Sequence, residues 1–351
     1  MSREKLLGFL ERGEPCTSET FAGLDLQGLD FSGMAFDTVD FSGSNFTGAD
    51  LEDCVLNECV FDNAILDKTN LIDASFTSGS MRNASLKSAN LDSAAFCIMD
   101  MARCVFDTAN VTKTVFQKSD LSYASMQAAV LLKAVFHETQ MQGFEIGEVD
   151  IEKTVFYEMD LRQTMFNSKI FSQVIFIGCN LSGLDLSERR FVACQFTDSD
   201  MGNCNLKHSY LVQSVFSNAI LADTCMDGVN GELTLFAQSK ASRLTCRHAK
   251  LERSVWTQAE LESSVFDHAN LDYAVFTQAN CQSASFSECR LGYANFDYAN
   301  LKSANFSNAY FEHTSMHAAL ISDPMLGGKS GIAKKDEPLL RAEMHSIAQS
   351  T

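Results

Sequence analysis

Large apolar side chains recur at every fifth position of the chain from Phe21 to Met316, with no shift of register. Of these 60 positions, which we call centres, 56 hold Leu, Ile, Val, Met, Phe or Trp. A period of five matches neither the 3.6-residue helix nor the two-residue strand. It predicts a chain that turns a corner every five residues, points one large side chain inward per side, and stacks its coils at strand-like spacing.

The residue two positions before each centre is usually small, as at Ala84, Ala269 and Ala299. Asn, Asp, Ser and Gly near the centres favour tight turns at the corners. The centres also alternate in size, since 18 of the 27 Phe residues lie at centres whose number ends in 6. We interpret this alternation as a packing device in which aromatic rings stack from coil to coil.

Over residues 21–316 this pattern resembles the pentapeptide-repeat family. The resemblance implies an all-β fold, a right-handed quadrilateral parallel β-helix with 20 residues per coil. Sixty units on four sides then give about 15 coils. Proline lacks the N–H that coil-to-coil hydrogen bonds use, and the three prolines, Pro15, Pro324 and Pro338, all lie outside the repeat.

The ends of the chain are predicted to differ from the repeat. Residues 1–20 are predicted to form an N-terminal helical cap, with a helix over residues 3–12, because an open solenoid end exposes its core. Residues 21–316 form the β-helix. Residues 317–351 form a C-terminal tail with a short helix opened by Asp336 and Pro338, which either caps the last coil or binds a partner.

The repeat is weakest at residues 229–247, where the centres Gly231, Ala241 and Cys246 are small. We expect a bulged or looped coil here, the alternative being a defect that a long solenoid tolerates. A basic cluster lies in and beside this segment, and it is a candidate contact for an acidic partner. Its members are Lys240, Arg243, Arg247, Lys250 and Arg253.

The residue just before each centre is expected to point outward, which sorts these residues into four columns. One column is studded with acids such as Asp100, Asp120 and Asp160, and another is apolar over much of its length. β-Branched residues favour extended backbone, but a long exposed apolar ladder more often marks an interface. We therefore predict an interface with a partner chain or a second copy. The candidate interface residues are Val115, Val135, Val155, Ile175, Val215, Leu235, Val255 and Val275.

The net charge restricts the classes of partner that the chain is expected to bind. The chain has 45 acidic and 27 basic side chains, for a formal charge of −18. That balance argues against direct nucleic-acid binding, which needs a basic footprint, and against docking on anionic membranes. No apolar run is long enough for a transmembrane helix, and the first residues do not form a secretory signal. We expect a cytoplasmic protein.

Catalytic and metal chemistry is poorly supported. Most of the 12 cysteines occupy the small inward position or a centre, so we interpret them as buried free thiols of a reducing compartment. His248 and His268 lie 20 residues apart, with Glu288 one coil further, and such a column can share a metal ion, but polar columns arise easily in a repeat. We predict no enzymatic activity and no cofactor, because no nucleophile–base set is evident.

Two functions remain open. The N-terminal run, from an Arg-Glu-x-Leu-Leu helix through Phe21-Ala22-Gly23-Leu24-Asp25-Leu26, resembles pentapeptide-repeat proteins associated with type VI secretion. That resemblance implies an adaptor that assists effector loading or spike assembly. Alternatively, the fold and negative charge are similar to those of family members that mimic DNA and bind gyrase or topoisomerase. We favour the adaptor, because Val60, Ile220 and Lys240 interrupt the acidic column.

Overall fold

A computed structural model describes residues 3–321, 330–333 and 338 of the chain. It divides into two units, Met1–Asn180 and Leu181–Thr351. In both, the residues just before the centres form parallel bridges to the residues 20 positions later, and such ladders run along all four sides of the solenoid. Eight turns occupy residues 21–180 and seven occupy residues 181–320. The predicted fold class is therefore confirmed: the chain is an all-β parallel solenoid with very little helix.

The first unit begins with helix α1 (Arg3–Arg12), whose Leu6 is fully buried. Lys5 pairs with Glu19 at 2.6 Å. The strands that follow are short, and the first unit contains fifteen of them. They are β1 (Cys16–Thr17), β2 (Ala35–Asp37), β3 (Val55–Asn57), β4 (Ser75–Thr77), β5 (Ala95–Cys97), β6 (Val115–Gln117), β7 (Ser125–Met126), β8 (Leu131–Leu132), β9 (Val135–His137), β10 (Glu145–Ile146), β11 (Ile151–Glu152), β12 (Val155–Tyr157), β13 (Met165–Phe166), β14 (Ile170–Ser172) and β15 (Ile175–Ile177).

One side of the first unit is a nine-stranded parallel sheet in the order β1-β2-β3-β4-β5-β6-β9-β12-β15. Strands β7, β10 and β13 form a second sheet, and β11 pairs with β8 and β14 on a third side. Each strand buries its centre and exposes the residues on either side of it, because side chains alternate along extended backbone. The nine-stranded sheet is therefore a continuous outward surface.

The second unit is built mostly from single-residue bridges. Its strands are β16 (Arg190–Val192), β17 (Arg290–Gly292), β18 (Asn300–Leu301), β19 (Tyr310–Glu312) and β20 (Leu320–Ile321). Hydrogen-bonded turns close directly after its centres, as where the Ala219 amide donates to the Phe216 carbonyl at 3.1 Å. Ile332 also pairs with Thr314, so the described part of the C-terminal tail joins the last turns. Apart from Pro338, the predicted C-terminal helix lies outside the described residues.

The corners of both units use left-handed backbone. Every fifth residue from Ser18 to Ala318 has a φ between 48° and 77°, except Glu148, Gln163 and Ser168. Residues with side chains adopt this conformation at a cost that glycine does not incur, so the turns favour Gly, Asn and Asp. The three exceptions identify residues 147–150 and 163–169 as the irregular part of the solenoid.

The predicted bulge at residues 229–247 is wrong. Bridges such as Asn230 to Lys250 and Lys240 to Glu260 run through this segment without interruption. Neighbouring side chains supply the missing volume: a Leu251 methyl lies only 2.9 Å from where a Cβ of Gly231 would be. At the small centre Cys246 the usual order of sizes is reversed, because Leu244 is buried in the small position before it. The ladder depends on backbone groups, so redistribution of core volume leaves it intact.

Candidate protein-binding surface

Four of the predicted interface residues form one row on the nine-stranded sheet of the first unit. Val115, Val135, Val155 and Ile175 begin strands β6, β9, β12 and β15 and are paired in register across them. All four are half-buried. They are thus stacked at strand spacing on one outward face, as their 20-residue interval predicts.

A ladder of stacked phenylalanines lies directly beneath this row. The rings of Phe116, Phe136, Phe156 and Phe176 are fully buried, with centroids 5.0–5.1 Å apart and planes within 7° of parallel. Each ring follows its surface residue in the same strand, and so it points to the opposite side. The surface row is held on rigid, close-packed elements, which favours a preorganised binding face.

A second row lies on the other side of these centres and belongs to the same face. It consists of Gln117, His137, Tyr157 and Ile177, of which Tyr157 is 36% exposed. We call the eight residues of the two rows the apolar face. None of the eight carries a formal charge with histidine neutral, so the patch contrasts with the strongly acidic composition of the chain.

Charged corners border the apolar face on both long edges. Lys113, Lys133 and Lys153 stack along one edge, and Glu138 and Glu158 lie along the other. All five are exposed and occupy left-handed corner positions. Nearby acids partly neutralise the lysines, since Lys113 forms a salt bridge with Asp92 at 3.4 Å and Lys153 forms one with Glu152 at 2.5 Å. The face therefore has one basic border and one border that is mainly acidic, in which Lys118 precedes the two glutamates.

The other four predicted residues form a narrower column in the second unit. Val215, Leu235, Val255 and Val275 pair with one another through isolated bridges. Leu235 is 39% exposed and the three valines are half-buried. Because hydrogen-bonded turns close on both sides of this column, it lacks the wider strands that give the first unit its second row.

Several carboxylates of the acidic column form local turns. Asp40, Asp120 and Asp200 each accept a hydrogen bond from the backbone amide two residues later, at 2.8–2.9 Å. This is the Asx turn, in which a side-chain oxygen replaces a backbone acceptor. In Asp160 the hydrogen-bonded salt bridge from the Arg162 side chain, together with the same backbone contact, lowers the pKa of the carboxyl group. These acids have a structural role in the corners, in addition to any role in binding.

Acids on the preceding turn compensate much of the predicted basic cluster. Arg243 donates two hydrogen bonds to Asp223, at 2.7 and 2.6 Å. Arg247 lies 3.6 Å from Asp227, and Arg253 lies 3.5 Å from Glu232. Lys240 and Lys250 are exposed on the same turns. Pairing of this kind weakens the attraction of the cluster for an acidic partner.

The histidine column is only partly assembled. The rings of His248 and His268 stack with centroids 4.7 Å apart, and His268 Nδ1 lies 3.3 Å from a Glu288 carboxylate oxygen. Within the described residues, the group of three side chains whose ligand atoms converge is a different one: His137, Glu138 and Glu158. Sequence reasoning missed it, although the 20-residue register that stacks His248 on His268 also stacks Glu138 on Glu158.

Two models of one repeat family match the chain. A model described as a pentapeptide repeat region matches residues 20–98, and one described as pentapeptide repeats (8 copies) matches residues 194–230, 245–280 and 279–317. Curated protein sequences give no significant match. Across the described segments, no helix has the length and apolar character needed to cross a membrane.

Solved structures with a similar fold are distant. HetL, a pentapeptide repeat protein involved in heterocyst differentiation regulation in the cyanobacterium Nostoc, is 16% identical, and the alignment covers 90% of this chain and 97% of HetL with a TM-score of 0.29. Full-length QnrB1, a plasmid-mediated fluoroquinolone resistance protein, is 18% identical over 66% of this chain and 99% of its own length, with a TM-score of 0.23. Identities and scores this low support no inference about function.

Proposed function

The chain belongs to the pentapeptide-repeat family, and from that premise we propose that it is a non-enzymatic scaffold that binds a partner protein through the apolar face. The observation that carries this proposal is the row Val115, Val135, Val155 and Ile175. These are half-buried aliphatic residues on the outer face of a sheet, in a protein that is otherwise strongly acidic. Apolar patches rimmed by polar residues are characteristic of protein interaction sites.

The borders of the face specify the chemistry of the partner. A matching surface has an apolar strip with acids along the edge that meets Lys113, Lys133 and Lys153, and bases along the edge that meets Glu138 and Glu158. Charged rims of this kind mainly set orientation and association rate, whereas the apolar centre supplies affinity. The expected occupant of the face is therefore a segment of a partner protein that has this apolar strip and these charged edges. Self-association of the chain is the competing outcome.

For the identity of the partner, we infer a component of a bacterial type VI secretion system, an effector or a spike protein. The support is the N-terminal run that begins with α1 (Arg3–Arg12) and continues through Phe21 to Leu26. The cysteines of the described residues form no disulfides, which supports a reducing compartment and hence a cytoplasmic protein. An adaptor that loads effectors before secretion would work in that compartment.

A second candidate function is DNA mimicry directed at gyrase or topoisomerase. The observation in its favour is the formal charge of −18 and the column of acids that contains Asp100, Asp120 and Asp160. Against it, several of these acids are already engaged in Asx turns or salt bridges with Arg82 and Arg162. An anionic surface that mimics DNA needs its carboxylates available to basic residues of the partner.

The proposal is tested by capture from a bacterial lysate with the full chain as bait, in parallel with Val135→Lys/Val155→Lys bait. Recovery of secretion effectors or spike proteins by the wild-type bait, lost with the double variant, supports the scaffold. Equal recovery by both baits refutes the role of the face. A separate assay of DNA supercoiling with purified gyrase distinguishes the alternative, because inhibition by the purified chain supports the mimic.

A further inference from the structure

Three side chains with metal-binding groups converge at one edge of the apolar face. They are His137 at the end of β9, Glu138 in the corner after it, and Glu158 in the same corner one turn later. One nitrogen of His137 and one carboxylate oxygen of each glutamate lie within 4.8 Å of one another. His137 Nε2 is 3.0 Å from a Glu138 oxygen. Ligands of a tetrahedral zinc ion are about 3.3 Å apart, given bonds of about 2.0–2.1 Å.

Among the described residues, the two carboxylates of this group are paired with one ammonium group, so their charge is balanced only in part. The fixed register places Glu138 and Glu158 on neighbouring turns, and like charges opposite each other across strands are destabilising. The cation that the structure places near them is Lys118, whose ammonium lies 3.7 Å from a Glu138 oxygen. That distance is longer than a charge-assisted hydrogen bond, which is about 2.7–2.9 Å. A divalent ion between the carboxylates would relieve the repulsion.

Tyr157 packs against one of the three ligands. Its ring lies edge-on against the His137 ring, with centroids 5.0 Å apart and an interplanar angle of 74°. Groups that contact metal ligands from outside in this way orient them and strengthen binding.

A groove beside the two glutamates leaves room for further ligands. A cavity of about 430 Å³ lies beside the two glutamates, and its lining includes Gln140, Asp160 and Gln163. Water or a side chain of a bound partner has room to complete the coordination there. We propose that His137, Glu138 and Glu158 form a site for a divalent transition-metal ion such as Zn²⁺. The site goes beyond the proposed scaffold function and shares His137 with the apolar face.

The donor set predicts which metals bind. One imidazole nitrogen and two carboxylates suit Zn²⁺, Co²⁺ or Ni²⁺, whereas Mg²⁺ and Ca²⁺ favour all-oxygen sites. Isothermal titration of the untagged full chain with Zn²⁺ alone is therefore expected to show one site that His137→Ala abolishes. Glu158→Gln, which preserves side-chain size, is expected to have the same effect, and circular dichroism verifies that both variants retain the β-solenoid.

Matched variants separate a built site from general attraction to an acidic surface. Glu58→Gln is the control, because Glu58 occupies the same corner column and the same left-handed conformation, at a position without a neighbouring histidine. It is expected to leave Zn²⁺ affinity unchanged, whereas Tyr157→Ala, which removes the ring packed against His137, is expected to lower it about tenfold. Lys118→Met removes a competing cation and is expected to tighten binding, unlike Lys113→Met.

Three outcomes would overturn the site. These are Zn²⁺ binding that survives His137→Ala and Glu158→Gln, a loss of affinity in Glu58→Gln equal to that in Glu158→Gln, and equal affinity for Mg²⁺ and Zn²⁺. Capture of the partner protein by the wild-type bait in the presence of a chelator tests the scaffold without the metal. Failure of the metal site is thereby distinguishable from failure of the proposed function.

Discussion

Val135 and Val155 occupy equivalent positions on the adjacent strands β9 and β12, one 20-residue turn apart. Directly after each of them comes a buried phenylalanine, Phe136 or Phe156, and these two rings stack with centroids 5.1 Å apart. The same register thus produces an apolar ladder outside and an aromatic ladder inside. The inner ladder explains stability, and the outer one is available for binding.

Replacing both valines with lysine, as Val135→Lys/Val155→Lys, is expected to weaken association with the partner at least tenfold. Two desolvated positions at the centre of an interface each contribute about 1 kcal/mol or more, and about 1.4 kcal/mol is a factor of ten. Stability should change by about 1 kcal/mol or less per site, because strand-surface substitutions span that range. Surface plasmon resonance with the captured partner measures the loss.

The control for this experiment is Val55→Lys. Val55 begins β3 on the same sheet and is 54% exposed, but Ser75 and Ala95 separate it from the apolar face. Its substitution should leave the affinity unchanged. A double variant that binds as tightly as the wild-type chain, or a Val55→Lys variant that loses binding to the same extent, would refute the assignment of the interface.

Truncating one inner ring, in Phe136→Ala, is expected to destabilise the first unit by about 3–5 kcal/mol. Phe136 is fully buried and stacks on both Phe116 and Phe156, so the cavity has rigid walls that collapse poorly. Phe136→Leu retains most of the volume and should cost less than about 1.5 kcal/mol. Guanidinium unfolding followed by circular dichroism measures both. Equal losses for the two variants would contradict a packing role for the ring stack.

The five-residue period predicted the fold because it fixes both the corner spacing and the inward side chain, and neither depends on distant contacts. The column of Val115, Val135, Val155 and Ile175 followed from the same arithmetic. The period could not show that this column lies in three-residue strands, whereas the column of Val215 in the second unit consists of single bridges. That difference depends on whether a hydrogen bond closes each turn, as from the Ala219 amide to Phe216.

The wrong prediction of a bulge at residues 229–247 has a related cause. Small centres such as Gly231 looked like defects because the pattern treats each pentapeptide alone, whereas Leu251 of the next turn fills the space. The observed irregularity lies where Glu148, Gln163 and Ser168 leave the left-handed conformation. The centres in that part of the chain are nevertheless all apolar. Backbone dihedral angles are not encoded in the size of the centres, so the period alone cannot locate it.

Relieving backbone strain at one corner, in Ile98→Asn, is expected to stabilise the chain by about 1 kcal/mol. Ile98 has a φ of 56° and is 55% exposed, so a β-branched residue adopts left-handed backbone with little burial in return. That conformation costs most L-residues about 1–2 kcal/mol, and Asn tolerates it better. The midpoint of guanidinium unfolding should rise.

The reverse substitution, Asn83→Ile, provides the comparison. Asn83 is exposed and has the same φ of 56°, and it should lose about as much stability as Ile98→Asn gains. If Ile98→Asn lowers the midpoint, or if both substitutions shift it in the same direction, corner strain does not control stability at these positions.

The cysteines are expected to differ sharply in reactivity. Ten of the 12 are buried, and only Cys97 and Cys225 are partly exposed. Burial raises the pKa of Cys204 to about 11 and that of Cys54 to about 12, so these thiols stay protonated at pH 8. Many donate a hydrogen bond to a carbonyl of the preceding turn, as Cys204 does to Leu181 at 3.1 Å. An aromatic disulfide reagent should therefore label two thiols rapidly in the folded chain and 12 in denaturant. Rapid labelling of more than two thiols in the folded chain, or labelling that persists in Cys97→Ser/Cys225→Ser, would contradict the burial of the other ten.

The raised pKa values also predict how stability depends on pH. A thiol that titrates near 8.5 when unfolded and near 11 or 12 when folded binds more protons in the folded state between those values. Its contribution to stability is complete below about pH 8.5 and declines as the pH rises toward 11 or 12. Cys204→Ser, which keeps a donor in the small position, should flatten that decline. Guanidinium unfolding of both chains over this pH range measures the difference.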